Sequence, residues 1–144
     1  MARALFLLPL LAITASCQKA PELYVDNASV QLSPVAGNPS AAYFTVHGSD
    51  EATDLIQVSS PMAIRVEMHE SRNDNGVMRM NTVTAVPVPA GSKVEFAPGG
   101  LHVMLWNINP AITPGKTLPL VFAFGNGTRI QVDTPVHAMG AAAH

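Results

Sequence analysis

The chain of 144 residues contains a single cysteine, Cys17. No disulfide can close within one molecule, and no thiolate zinc cage or C-x-x-C-H haem attachment can form. A blue-copper centre also needs a thiolate and falls with them. Charge is scarce as well, 8 Lys and Arg against 10 Asp and Glu, and the basic residues do not cluster. With no positive stripe to follow a phosphate backbone, nucleic acid is not an expected partner. Long amphipathic helices are the third absence: nowhere do eleven residues keep a convincing 3.6-residue period. Cys17 lies in the N-terminal segment, so the domain that follows is free of thiols and any sulfur chemistry there has to come from methionine.

The N-terminal segment reads as an export signal. Arg3 and the amino terminus supply a weak positive region, followed by the almost wholly apolar stretch Ala4 to Ala15. Such a stretch of about twelve residues is too short to cross a hydrocarbon core of ~30 Å as a helix. It ends in Thr14-Ala15-Ser16-Cys17, small residues before a cysteine, which resembles a bacterial lipobox. Cys17 is the expected acceptor of a diacylglyceryl group, with Thr14 standing where leucine is usual. Two acyl chains anchor a protein firmly, whereas one chain alone is marginal. The expected division is a lipoprotein-type signal over residues 1–16, a tether over 17–22, one domain over 23–134 and a flexible tail over 135–144.

What is plentiful is punctuation. Twelve prolines and ten glycines separate short apolar stretches at intervals of about 8–12 residues, the pattern of an all-β protein. Strands are expected at Leu23–Gln31, Ala42–Val46, Leu55–Ser59, Ile64–His69, Val77–Val83, Lys93–Phe96, Leu101–Trp106, Leu118–Phe124 and Thr128–Val132. Val86–Pro89 is interrupted by proline and is expected to be an edge strand or a connector. Asn73-Asp74-Asn75-Gly76 is the strongest hairpin signal, and Asn126-Gly127 is a second. Short strands joined this way indicate one antiparallel Greek-key β-sandwich.

Histidine and methionine carry the chemistry. In Leu101-His102-Val103-Met104-Leu105-Trp106, alternation puts His102, Met104 and Trp106 on one face and the three aliphatic residues on the core face. His102 and Met104 are then about 7 Å apart along the strand. Two loop lengths are open for the hairpin. A four-residue loop sets His69 opposite Met80; a two-residue loop sets His69 opposite Thr82, with Met80 as its diagonal neighbour. Both registers keep His69, Met78 and Met80 on one face and turn Met68 to the other. Singly, each methionine could fill a core and each histidine could decorate a loop. Together, two His and two Met on co-facial positions form a neutral, soft donor set, suited to Cu(I) and poor for zinc, magnesium or calcium. Methionine needs no deprotonation and cannot oxidise to a disulfide, which fits an oxidising compartment.

The spacing His69-x10-Met80-x21-His102-x-Met104 resembles the signature of the PCuAC family of periplasmic copper chaperones. The flanking segments Val66–Glu70, Gly76–Met80, Val88–Gly91 and Pro98–Leu105 resemble it too, and the likeness covers residues 23–136. It implies a cupredoxin-like sandwich, Cu(I) as cargo on His69, Met80, His102 and Met104, and delivery toward the Cu(A) centre of cytochrome c oxidase. The implied partners are a copper-accepting oxidase subunit or another envelope copper chaperone, met by a monomer in the periplasm. The lipobox at Cys17, which would add a lipid anchor, departs from the family, many of whose members are soluble. Some relatives bear His- and Met-containing tails associated with a second copper, Cu(II); here that set would be His137, Met139 and His144, although a flexible tail carrying these residues by chance is the favoured reading. His47, alone at a strand end, is assigned to the surface. No enzyme activity is expected, because no tyrosine-, cysteine- or carboxylate-assisted open site accompanies the donors. The competing reading is a copper-buffering or tolerance protein with no dedicated client.

The anchor is directly testable. Cells expressing the full chain should incorporate labelled palmitate into it, and Cys17→Ala should abolish both the label and the membrane fractionation. Equal labelling of the variant would remove the lipobox reading.

Overall fold

In a computed structural model that describes residues 20–141, ten strands and no helix make up the secondary structure. They are β1 (Tyr24–Leu32), β2 (Ser40–His47), β3 (Thr53–Ser59), β4 (Ala63–Asp74), β5 (Val77–Val83), β6 (Val86–Val88), β7 (Lys93–Phe96), β8 (Leu101–Ile108), β9 (Thr117–Phe124) and β10 (Arg129–Ala138). One layer runs β5-β4-β8-β2-β1 and the other β10-β9-β3-β6, with β7 beside β2. β10 belongs to both: Arg129–Pro135 pair with β9, then Val136, His137 and Ala138 pair with Val30, Gln31 and Leu32 of β1. Pro135, which has no N–H to give, stands at the point where the strand changes partners. The β1–β10 ladder is parallel and the other ladders are antiparallel. This is the expected cupredoxin-like sandwich.

Alternation builds the core. Ala42, Phe44 and Val46 of β2 face Leu118, Leu120, Phe122 and Phe124 of β9, all buried. Phe44 joins the layers, stacking on Phe96 at 4.2 Å and meeting Phe122 edge-on at 4.7 Å. Buried aromatic pairs of this kind add ~0.5–1.5 kcal/mol beyond the area they bury. On β8, Val103 and Leu105 point into this core, which commits His102, Met104 and Trp106 to the opposite face.

The hairpin between β4 and β5 resolves the register. Asn75 (φ 53°) and Gly76 (φ 86°) both lie in the left-handed region, the requirement of a two-residue type I′ turn. Asn73 Oδ1 accepts the Gly76 N–H at 2.8 Å and braces it. His69 therefore sits opposite Thr82, and Ser71 opposite Met80. β6 is an edge strand, as its proline requires.

The C-terminal end departs from expectation. Residues 135–138 are not part of a free tail; they complete β10, and the Met139 N–H donates to Leu32 O at 3.0 Å. The apolar Val136, buried against the core, draws this segment into the sheet although the Ala- and Gly-rich composition around it suggested otherwise.

Two glycines should answer differently to alanine. At Gly48 a Cβ would lie 2.5 Å from the Pro89 carbonyl oxygen, whereas at Gly76 nothing stands within 4 Å and only the positive φ resists. Gly48→Ala should cost about 2–3 kcal/mol, as overpacking against backbone does, and Gly76→Ala about 1 kcal/mol. Urea unfolding of the two variants measures the difference; equal losses would contradict the packing described here.

Candidate metal centre

β4 and β8 lie side by side in an unbroken antiparallel register, with Arg65 opposite Trp106, Glu67 opposite Met104 and His69 opposite His102. Directly opposed residues share a face, so these six side chains form three rows on the side of the sheet turned away from the core. Met68 and Val103, one residue out of phase, pack inward. β5 extends the same face: Met80 opposite Ser71 and Met78 opposite Asn73 continue the pattern set by His69.

The two imidazoles stack with centroids 5.9 Å apart and planes inclined by 30°. Trp106, two rows away on β8, leans back so that its ring centroid is 6.0 Å from that of His69. The Arg65 guanidinium lies over the indole at 3.8 Å. These rings cover one another on a face that would otherwise meet water, and His102 is only 6% exposed.

Hydrogen bonding settles the protonation pattern of the neutral rings. His69 Nε2 is 3.0 Å from Glu67 Oε2. An ionised carboxylate only accepts, so Nε2 carries the hydrogen and Nδ1 the lone pair. That Nδ1 is buried and has no hydrogen-bond partner among the described residues. A buried acceptor left this way costs about 1–3 kcal/mol. His102 is arranged in the opposite sense: Nδ1 lies 3.0 Å from the Gly100 carbonyl oxygen, so Nδ1 donates and Nε2 keeps the lone pair.

The sequence-named residues are thus placed unevenly. His69, His102 and Met104 share adjacent rows of one strand pair. Met80 is on the same face but across the neighbouring strand, one row further out and 54% exposed; Met78 lies beyond it, also exposed. Arg65 and Glu67 were not singled out from the sequence. Period-two alternation from His69 was the signal that could have found them, since it sets residues 65, 67 and 69 on one face. Among the described residues no three His, Cys, Asp or Glu side chains converge to hold a metal.

The other named positions lie elsewhere. His137 is a strand residue paired with Gln31, and Met139 follows it with an exposed side chain. Cys17 and His144 lie outside the described residues. His47 stacks on Tyr24 at 4.1 Å and pairs through Nε2 with Asp26 Oδ1 at 2.9 Å.

Comparison with known proteins places the chain in context. The family model "Putative lipoprotein LpqE-like" matches residues 23–136. A curated relative, "Putative lipoprotein Lxx21020" of Leifsonia xyli subsp. xyli, is 28% identical over 105 residues; the match covers 72% of this chain and 63% of the relative's length. Among solved structures, the copper-bound PCuAC domain from PmoF2 superposes with a TM-score of 0.66 at 23% identity, covering 84% of this chain and 97% of that domain. The Cu(I) form of DR1885 from Deinococcus radiodurans gives 0.62 at 22% identity, over 85% and 81% of the two chains. The fold is that of PCuAC domains, and the chain belongs to the LpqE-like family.

Proposed function

We propose that this chain is a copper(I) metallochaperone of the cell envelope, holding its cargo on His69, Met80, His102 and Met104. The observation that carries the reading is the opposed pair His69 and His102, each keeping one lone-pair nitrogen, beside thioethers on the same face. Four neutral donors, two of them soft sulfur, select Cu(I) over harder divalent ions. The buried Nδ1 of His69 supports the reading independently, because an occupant that accepts its lone pair removes the cost of leaving it unsatisfied. Copper-bound PmoF2 and Cu(I)-bound DR1885, which share the fold, add support from outside this chain.

Release follows from where the donors stand. His102 is buried while Met80, on the sheet-edge strand β5, is exposed. An incoming thiolate or thioether of an acceptor can replace Met80 before the less exposed His69 and the buried His102 are disturbed, so transfer proceeds by stepwise ligand exchange. A lipid anchor at Cys17, consistent with the lipoprotein family, would hold the donor at the membrane face, where the Cu(A) subunit of cytochrome c oxidase is the client we assign. His137 and Met139 are given no part in this site.

Binding is tested anaerobically against a chromogenic Cu(I) chelator. The expected result is one Cu(I) per chain, with affinity lowered at least ~10-fold by His102→Ala or Met104→Leu, as for loss of a metal ligand or its support, and circular dichroism unchanged. Wild-type affinity in both variants would overturn the site. The sole tryptophan offers a second readout: Trp106 emission should fall as Cu(I), or its redox-inert surrogate Ag(I), is added, and should not respond in a His69→Ala/His102→Ala double variant. Client and buffer roles separate in one further measurement. Mixing the Cu(I)-loaded chain with an apo Cu(A) domain should move copper to the acceptor; retention of all the metal would favour buffering.

A further inference from the structure

Resting on that reading, the geometry points to Glu67 as a positioning residue of the copper site, one that presents His69 to the metal through Nδ1. Alternation along β4 sets Arg65, Glu67 and His69 on one face, and the Glu67 carboxylate lies between the other two. Its Oε2 is 3.0 Å from His69 Nε2 and its Oε1 is 3.4 Å from Arg65 Nε. Arg65 in turn places its guanidinium 3.8 Å above the Trp106 ring. The chain of contacts Trp106–Arg65–Glu67–His69 therefore returns to its start, because the indole also packs 6.0 Å from the His69 ring.

The consequence is chemical. A carboxylate fixed on Nε2 holds the hydrogen there and raises the donor strength of the far nitrogen, the arrangement by which second-layer carboxylates orient metal-bound histidines. His69 thus offers Nδ1, which is buried and without a partner among the described residues, while His102 offers Nε2 because Gly100 holds its Nδ1 hydrogen. The two histidines bind through different nitrogens. Glu67 also brings a negative charge within hydrogen-bonding distance of a ligand in a set that otherwise has none, which favours retention of a cation.

Side-chain nitrogen NMR of the apo protein at about pH 8, above the range in which imidazole ordinarily titrates, reads the tautomers with no copper present. Wild type should show His69 protonated only at Nε2 and His102 only at Nδ1. Glu67→Ala should give His69 a mixed population, leave His102 unchanged, and weaken Cu(I) binding about 10–100-fold in a protein whose amide spectrum stays dispersed. Glu67→Gln, whose amide oxygen can still accept from Nε2–H, should restore the single His69 tautomer and most of the affinity. An Nδ1–H tautomer at His69 in wild type, or Glu67→Ala binding Cu(I) as tightly as wild type, would overturn the role of Glu67 while leaving the copper site standing. Wild type taking up no Cu(I) would instead overturn the copper reading and this proposal with it.

Discussion

The antiparallel ladder between β4 and β8 is the constraint on which the rest depends. One register sets Arg65, Glu67 and His69 against Trp106, Met104 and His102. A slip by one residue would exchange the faces of every side chain on β4, sending His69 inward and Met68 outward. What prevents the slip is the core: Met68, Val103 and Leu105 are buried together, and burying an apolar side chain is worth about 1.5–3 kcal/mol. The polar face of the candidate site is held in place by apolar packing on the reverse of the same sheet.

Construction from two opposed strands, with a third supplying Met80, gives the site its graded exposure. Interior strands supply the histidines, and an edge strand supplies the exposed thioether. A buried histidine on one side and an accessible thioether on the other fit the proposed role of holding an ion and still surrendering it. The indole and guanidinium of Trp106 and Arg65 limit water on the remaining side without adding a hard ligand. Cation–π contacts of this kind contribute ~0.5–1 kcal/mol at exposed positions and more when desolvated.

Much of this was legible in the residues. Alternation in Leu101–Trp106 separates core from site without a structure, because the pleat leaves only two directions for a side chain. The same rule assigns Met68 to the core. The hairpin was legible only as a pair of alternatives: Asn73–Gly76 suits either a two- or a four-residue loop, and the choice fell to the φ angles of Asn75 and Gly76. Composition misled at the C-terminal end, where Ala and Gly around His137 suggest a free tail, yet Val136 finds a buried place beside β1. Local sequence does not encode that place, since the partner strand lies more than a hundred residues away.

By itself the sequence determined that sulfur here must be thioether, that the chain is built of short strands, and that His69, Met80, His102 and Met104 are spaced to lie on two strand faces. Those properties follow from residue chemistry and the two-residue period of a strand. Only the tertiary structure decided that β4 and β8 are neighbours, that His69 opposes His102 rather than Met80, and that a Glu67 carboxylate holds one nitrogen of His69 and leaves the other bare. Strand pairing is non-local: it is set by which apolar faces can be buried together, and no window of neighbouring residues contains that information.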